Sequence, residues 1–209
     1  IRDSHCTAMP ATFETPADLQ AAVDAWVLDP TAAEFEHGHI SGWDVSRVGA
    51  LTNLFGYKQA FNDDIGGWDT SSVSSLEGTF WLASAFDRYI GGWDTSKVKI
   101  MKNAFNGASA FDRRLGNWDT SELTDMYLSF NGASAFGQED LARWDVGKVE
   151  MGNFGSFFMG TALKDDPCGS RIVYDGWLEQ QDFSANMPFQ AFGSGDCAMG
   201  IFRSLSELK

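Results

Sequence analysis

The chain is short of cations, short of cysteine and without a long apolar run. Fifteen Lys and Arg stand against 29 Asp and Glu, a formal net charge of −14. That balance repels nucleic-acid phosphates and anionic lipid surfaces, so neither is expected as a partner. The longest apolar stretch, Ala21–Val23 with Ala25–Leu28, is broken by Asp24 and falls well short of the roughly 20 residues of a membrane span. No transmembrane segment is expected. Asn-x-Ser/Thr is absent, so nothing marks the chain for N-glycosylation. Neither a Gly-x-Ser-x-Gly elbow nor a phosphate-cradling glycine loop occurs. No catalytic residue, cofactor or metal is therefore expected, and the chain reads as a non-enzyme. The three cysteines, Cys6, Cys168 and Cys197, fit no zinc spacing. Cys168 and Cys197 fall together near the C-terminus and are expected to form a disulfide, with three reduced thiols as the alternative.

What the chain does have is an internal repeat. Trp43, Trp68, Trp93, Trp118 and Trp144 recur at intervals of 25, 25, 25 and 26 residues, each followed by Asp. Phe55, Phe80, Phe105 and Phe130 keep the 25-residue interval, as do Phe61, Phe86, Phe111 and Phe136. FNDDIGGWDTS, FDRYIGGWDTS and FDRRLGNWDTS are close to interchangeable. A period of this length is the mark of a stacked repeat array.

Within one unit, Val98, Met101, Phe105 and Ala108 are separated by steps of three, four and three, which predicts one face of a helix. Asp94, Thr95 and Ser96 precede it as natural N-caps, and Asn106-Gly107 would end it. The segment Leu115-Gly-Asn-Trp118 would return as a short strand, stable only when stacked on copies of itself. The expected fold class is thus an α/β repeat, a solenoid of about five helix-plus-short-strand coils.

The stretch FNDDIGGWDTSSVSSLEGTFWLASAF resembles the BspA-type leucine-rich-repeat family, a domain of unknown function in bacterial surface lipoproteins and in many algal and protist proteins. The shared pattern is F-N-x-D-I-x-x-W-D-T-S-x-V-x-x-M-x-x-M-F-x-x-A-x-x-F, carried by residues 34–162. The upstream ADLQAAVDAWVLDPTAAEFEHGHISGWDVS is similar to the lead-in of algal members. The resemblance implies a right-handed leucine-rich-repeat-like solenoid with binding or adhesion roles and no catalytic residue to carry over. Two departures stand out: Lys58 replaces a small residue in the first coil, and the fifth coil carries insertions around Leu141 and Phe154–Phe158.

Array ends need caps. Residues 1–33 are expected to hold an N-terminal segment and a capping helix over PADLQAAVDAWVL, with Leu19, Ala22, Val23, Trp26 and Val27 at helical spacing and Pro16 and Pro30 as punctuation. Residues 34–162 hold five repeats. Residues 163–209 break the period and are expected to be an irregular C-terminal cap or docking extension.

Several residues invite a chemical reading. The recurring Asp44, Asp69, Asp94, Asp119 and Asp145 suggest either a calcium track or helix caps, the second being preferred. His37 and His39 suggest either a metal pair or two surface histidines, again with the second preferred. Residues 86–115 gather Arg88, Lys97, Lys99, Lys102, Arg113 and Arg114 against Asp87, Asp94 and Asp112, a basic band that suggests either a docking patch for an acidic partner or a solvated face, the second being preferred. Trp81 stands where other coils have Gly56, Asn106 and Asn131, and reads as an interface anchor. Tyr57 and Tyr89 are similar candidates. Phe154, Phe157, Phe158 and Met159 read either as a partner-facing patch or as the distorted last core layer, the second being preferred. The functional expectation is a non-catalytic protein-binding or scaffolding subunit of a larger complex, with a secreted or cell-surface adhesion module as the alternative. Because the sequence opens on Ile1, a removed presequence and a secretory or organelle lumen are expected, the cell surface being the alternative. With the acidity and the alga-like lead-in, a lumenal subunit of an algal photosynthetic assembly is a specific form of this expectation.

Overall fold

A computed structural model describes residues 10–149, 157–165, 172, 173 and 175–177. Two helices open it. In α1 (Pro16–Leu28), Thr15 caps the first turn by accepting from the Asp18 amide at 3.2 Å, and Pro16 supplies a pre-set φ where no amide is needed. Leu19, Ala22, Val23 and Trp26 are buried, whereas Val27 is on the surface. Asp29 ends α1 and caps α2 (Pro30–His37) through the Ala32 amide, and Gly38, at φ 72°, stops α2. The third helix, α3 (Ala162–Asp165), is a single turn.

The repeat between them corrects the expected fold class. Among the described residues no α-helix forms inside a 25-residue unit, and no strand or sheet forms either. The helix-plus-strand coil of a leucine-rich-repeat-like α/β solenoid is therefore absent. The segment read as a helix is a succession of turns, and neighbouring coils meet through isolated parallel bridges at Ala50, Ser75, Ile100 and Asp125. The segment read as a strand, ending in each Trp, contains a Gly turn instead. The burial pattern itself is as expected: Val98, Met101, Phe105 and Ala108 are all in the core. Each turn bond spans three residues and successive turns begin two residues apart, so two turns advance the chain by four and imitate the three- and four-residue steps of a helix face.

Backbone geometry explains the preference for turns. Asn53, Gly78, Asn103 and Leu128 share one repeat position with φ between 56° and 60°, and Tyr57, Leu82, Gly107 and Gly132 share another, four residues on, that is also left-handed. A turn whose third residue has positive φ can be continued by another turn, but a helix cannot pass through it. The hydrogen bonds then divide by parity. In the second coil the amides of Thr79, Trp81 and Ala83 close turns onto Leu76, Gly78 and Phe80. The amides of Leu76, Gly78, Phe80 and Leu82 leave the coil and donate to Ile100, Lys102, Ala104 and Asn106 of the next. A helix would have kept all of them to itself; the turns release every second one for stacking.

Side chains complete the stack. Phe55, Phe80, Phe105 and Phe130 form a column with ring centroids 5.4, 5.3 and 5.0 Å apart and near-parallel planes. Phe61, Phe86, Phe111 and Phe136 form a second column at 5.9–6.0 Å. The Trp residues form a third, with Trp93, Trp118 and Trp144 at 6.4 and 6.1 Å. The inner rings Phe80, Phe86, Phe105 and Phe111 thus have neighbours above and below as well as in their own coil. Phe105→Ala, at the centre of this column, is expected to cost about 3–5 kcal/mol of stability, read as a lowered urea midpoint with an unchanged slope.

Candidate functional site

The regular polar residues are spent on the stack. Asp44, Asp69, Asp94 and Asp119 each accept the amide two residues on, at 3.0 Å, from Ser46, Ser71, Ser96 and Ser121. Asp145 does the same with Gly147 at 2.8 Å. These are Asx-turns, so each Asp starts a turn where a helix cap was expected. Hydrogen bonds from the serine hydroxyl and then the serine amide hold the Asp44, Asp94 and Asp119 carboxyls below their ordinary pKa. No group of three or more metal-ligating side chains exists among the described residues. His37 packs on Phe13 and Trp43, and His39 edge-on against Trp26.

Indole N–H groups add a second set of links. Trp68, Trp93, Trp118 and Trp144 donate to the carbonyls of Ile40, Ile65, Ile90 and Leu115 in the preceding coil, at 2.9–3.1 Å. Trp177 continues the set, donating to Leu141 at 2.8 Å from a fully buried ring. Its place in the core was hidden in the sequence because it follows Trp144 by 33 residues. Phe157 and Phe158 are buried under it and Met159 is exposed, while Phe154 lies outside the described residues. Cys6, Cys168 and Cys197 also lie outside them, so the disulfide expectation falls beyond the described part of the chain.

The basic band is divided between two parts of the coil. Arg88 and Arg113 occupy equivalent positions and reach back to the preceding coil: Arg88 Nε donates to the Asn62 carbonyl at 2.6 Å, Arg113 Nε to the Asp87 carbonyl at 3.1 Å. Arg113 also pairs with the Asp87 carboxylate. Under them runs a polar ladder whose sequence signal is the Asn or Asp that follows Phe61, Phe86 and Phe111. The Asn62, Asp87 and Asp112 side chains accept the amides of Asp87, Asp112 and Gly137, each at 3.0 Å. Arg88 and Arg113 are thus bound into the stack while remaining exposed. Arg114, Lys97 and Lys99 are exposed, Lys102 half-buried; the lysines sit on the turn-chain side of the third coil, and Arg114 follows Arg113.

Residues that break the repeat gather at the first two coils. Trp81 is half-buried and packs against Tyr57, centroids 4.9 Å apart at 52°. Tyr57 is 61 % exposed and stands at φ 63° where later coils have Gly107 and Gly132, an uncommon conformation for a bulky residue. The Tyr57 amide donates to the Trp81 carbonyl at 2.7 Å, so both backbone and rings join the two coils here. Tyr89 is exposed and lies over Gly91, where an added Cβ would come within 2.8 Å of its ring and 2.7 Å of the Arg114 carbonyl. Lys58, the other departure, has a structural role. It occupies the position of the buried Ala83, Ala108 and Ala133, and its ammonium meets Asp24 of α1 at 2.6 Å. Trp26 donates to Asp63 at 2.9 Å and Gln20 to the Leu54 carbonyl at 3.2 Å. Together these fasten α1 to the first coil.

A family model described as "Mycoplasma protein of unknown function, DUF285" matches the chain twice, over residues 30–103 and 83–166. No curated protein and no solved structure matches it.

Gly91→Ala is expected to cost about 1–3 kcal/mol through crowding against the Arg114 carbonyl, measured by urea unfolding. The Asp44, Asp94 and Asp119 carboxyls, depressed on folding, stabilise the fold while ionised. That contribution is complete above the unfolded carboxylate pKa of about 3.9 and is lost as pH falls through the lower folded values. Urea midpoints are therefore expected to hold flat above that point and to drop below it, with a smaller drop in Asp94→Asn.

Proposed function

Since the chain belongs to the DUF285 family of proteins of unknown function, we propose that it is a non-catalytic, protein-binding repeat scaffold, a structural or peripheral subunit of a larger assembly. The Tyr57–Trp81 pair carries this reading. The recurring Asp, Trp and Asn/Asp side chains are used to join or turn the coils, whereas this pair puts two large aromatic rings side by side near the surface, Trp81 where the other coils have Gly56, Asn106 or Asn131 and Tyr57 where they have Leu82, Gly107 or Gly132. Aromatic anchors of this kind dominate protein interfaces. Tyr89, Arg114, Lys97, Lys99 and Lys102 are proposed as the surrounding contact surface, with Arg88 and Arg113 contributing charge from fixed positions. The family match is compatible with the BspA-type resemblance, although the leucine-rich-repeat geometry is not adopted. No described helix is long and apolar enough to cross a membrane. We further propose a secretory or organelle lumen as the compartment, a lumenal place in an algal photosynthetic assembly being the specific version; cell fractionation tests it.

The functional test is cross-linking and native purification of the tagged chain from its source, beside the variant Trp81→Asn, which installs the residue of the next coil. A stable partner should cross-link next to Trp81, and the variant should weaken its binding about thirtyfold, the effect of losing an anchor worth about 2 kcal/mol. A wild-type chain that purifies alone, or a variant that binds as tightly as wild type, would refute the proposal.

A further inference from the structure

The turn chain gives each coil two unlike edges. Its alternate amides all point toward the next coil, and its alternate carbonyls all point toward the preceding one. Ser75, Glu77, Thr79 and Trp81 thus accept from Leu51, Asn53, Phe55 and Tyr57, and Asp125, Tyr127 and Ser129 accept from Met101, Asn103 and Phe105. An ordinary strand presents donors and acceptors together along one edge. From Ser75 to Trp81 this edge presents acceptors only, while the flanking Ser74 and Ala85 amides donate back across it to Gly49 and Gln59.

The first coil has no earlier coil to receive from at these positions. Its four corresponding carbonyls belong to Ala50, Thr52, Leu54 and Gly56. Among the described residues only the Leu54 carbonyl has a donor, Gln20 Nε2 of α1 at 3.2 Å. Thr52 is exposed, and Ala50 and Gly56 are half-buried, so the three open carbonyls are within reach of a partner. Residues 10–56 carry seven carboxylates and one arginine, Arg47, and that arginine is already paired with Glu14.

We propose that the carbonyl edge of Ala50, Thr52 and Gly56 docks a basic segment of a partner protein, whose Lys or Arg side chains donate into the three open acceptors. A row of carbonyl oxygens pointing one way is partly negative and suits cationic donors, as carbonyl rings suit cations in channel filters. The acidic helices and first coil reinforce that sign and would speed encounter with a basic chain. A regular strand is the poorer occupant, because each of its donors brings a carbonyl against a carbonyl. Gln20 illustrates the accepted solution: a side-chain N–H, reaching in from outside the coil, fills the one covered acceptor. This surface rests on the backbone of the first coil and is independent of the Trp81 anchor.

The test is carbonyl-carbon NMR on the intact chain, titrated with an octalysine peptide and separately with octaglutamate. Octalysine should shift the Ala50, Thr52 and Gly56 carbonyls downfield saturably, leaving their internal equivalents Ser75, Glu77 and Trp81 unmoved. The response should weaken as salt is raised and persist in Trp81→Asn, which separates this surface from the proposed aromatic anchor. Octaglutamate should shift none of them. In Gln20→Ala the Leu54 carbonyl should join the responding set. Absence of the three shifts at saturation, or octalysine shifts that instead follow the exposed Asp44–Asp119 row, would overturn the proposal.

Discussion

Everything in this structure depends on the amide that leaves its own coil. Positive φ at two positions of each unit bends the chain into linked turns, and linked turns can satisfy only every second amide internally. The remaining amides must find carbonyls one unit away, and that sets the spacing at which the Phe and Trp columns come into contact. Hydrogen bonding and aromatic packing therefore select the same register. Displacing one coil breaks its backbone bonds, its indole bond and three ring stacks together, which makes neighbouring coils strongly coupled.

The same arrangement accounts for the sorting of residues by role. Thr70 and Thr95, one step past the recurring Asp, donate to the Asp94 and Asp119 carbonyls of the next coil. Val45 and Val146 hold that position at the two ends, and the buried Thr120 hydroxyl, facing the irregular fifth coil, has no partner among the described residues. Where the interval changes from 25 to 26 residues, the polar link lapses while the apolar column continues through Trp144 and Trp177. Packing tolerates the irregularity; a directional hydrogen bond does not.

Much of this was legible in the sequence, and the main error is instructive. The unit length, the core positions and α1 with its boundaries could be read from the spacing of Trp, Phe and Pro. The element type inside the unit could not, because turns that each span three residues and follow one another at two-residue steps bury the same positions as a helix face. The contrary signal was present: Gly78 lies in the middle of the segment, and Asn106-Gly107 and Asn131-Gly132 come before its last core residues Ala108 and Ala133, where a helix is weakened and a turn is favoured. Trp81 and Lys58 were visible as departures. What Lys58 does was not, since Asp24 is distant in sequence and only the docking of α1 brings them together. Arg88 and Arg113 stand one unit apart in the sequence, but their bonds to the Asn62 and Asp87 carbonyls required the path of the backbone.

The fastening of α1 to the first coil bears on how the chain folds. Near-identical units invite a misalignment by one whole unit: a coil that skips its neighbour and stacks on the next would keep most of the same bonds and columns. Such a slipped arrangement is a kinetic trap, differing little in energy along its length and chiefly at its ends. Lys58 with Asp24, and Trp26 with Asp63, exist at only one coil among the described residues. They raise the energy of the slipped states relative to the native one and so give a periodic chain an unambiguous starting point.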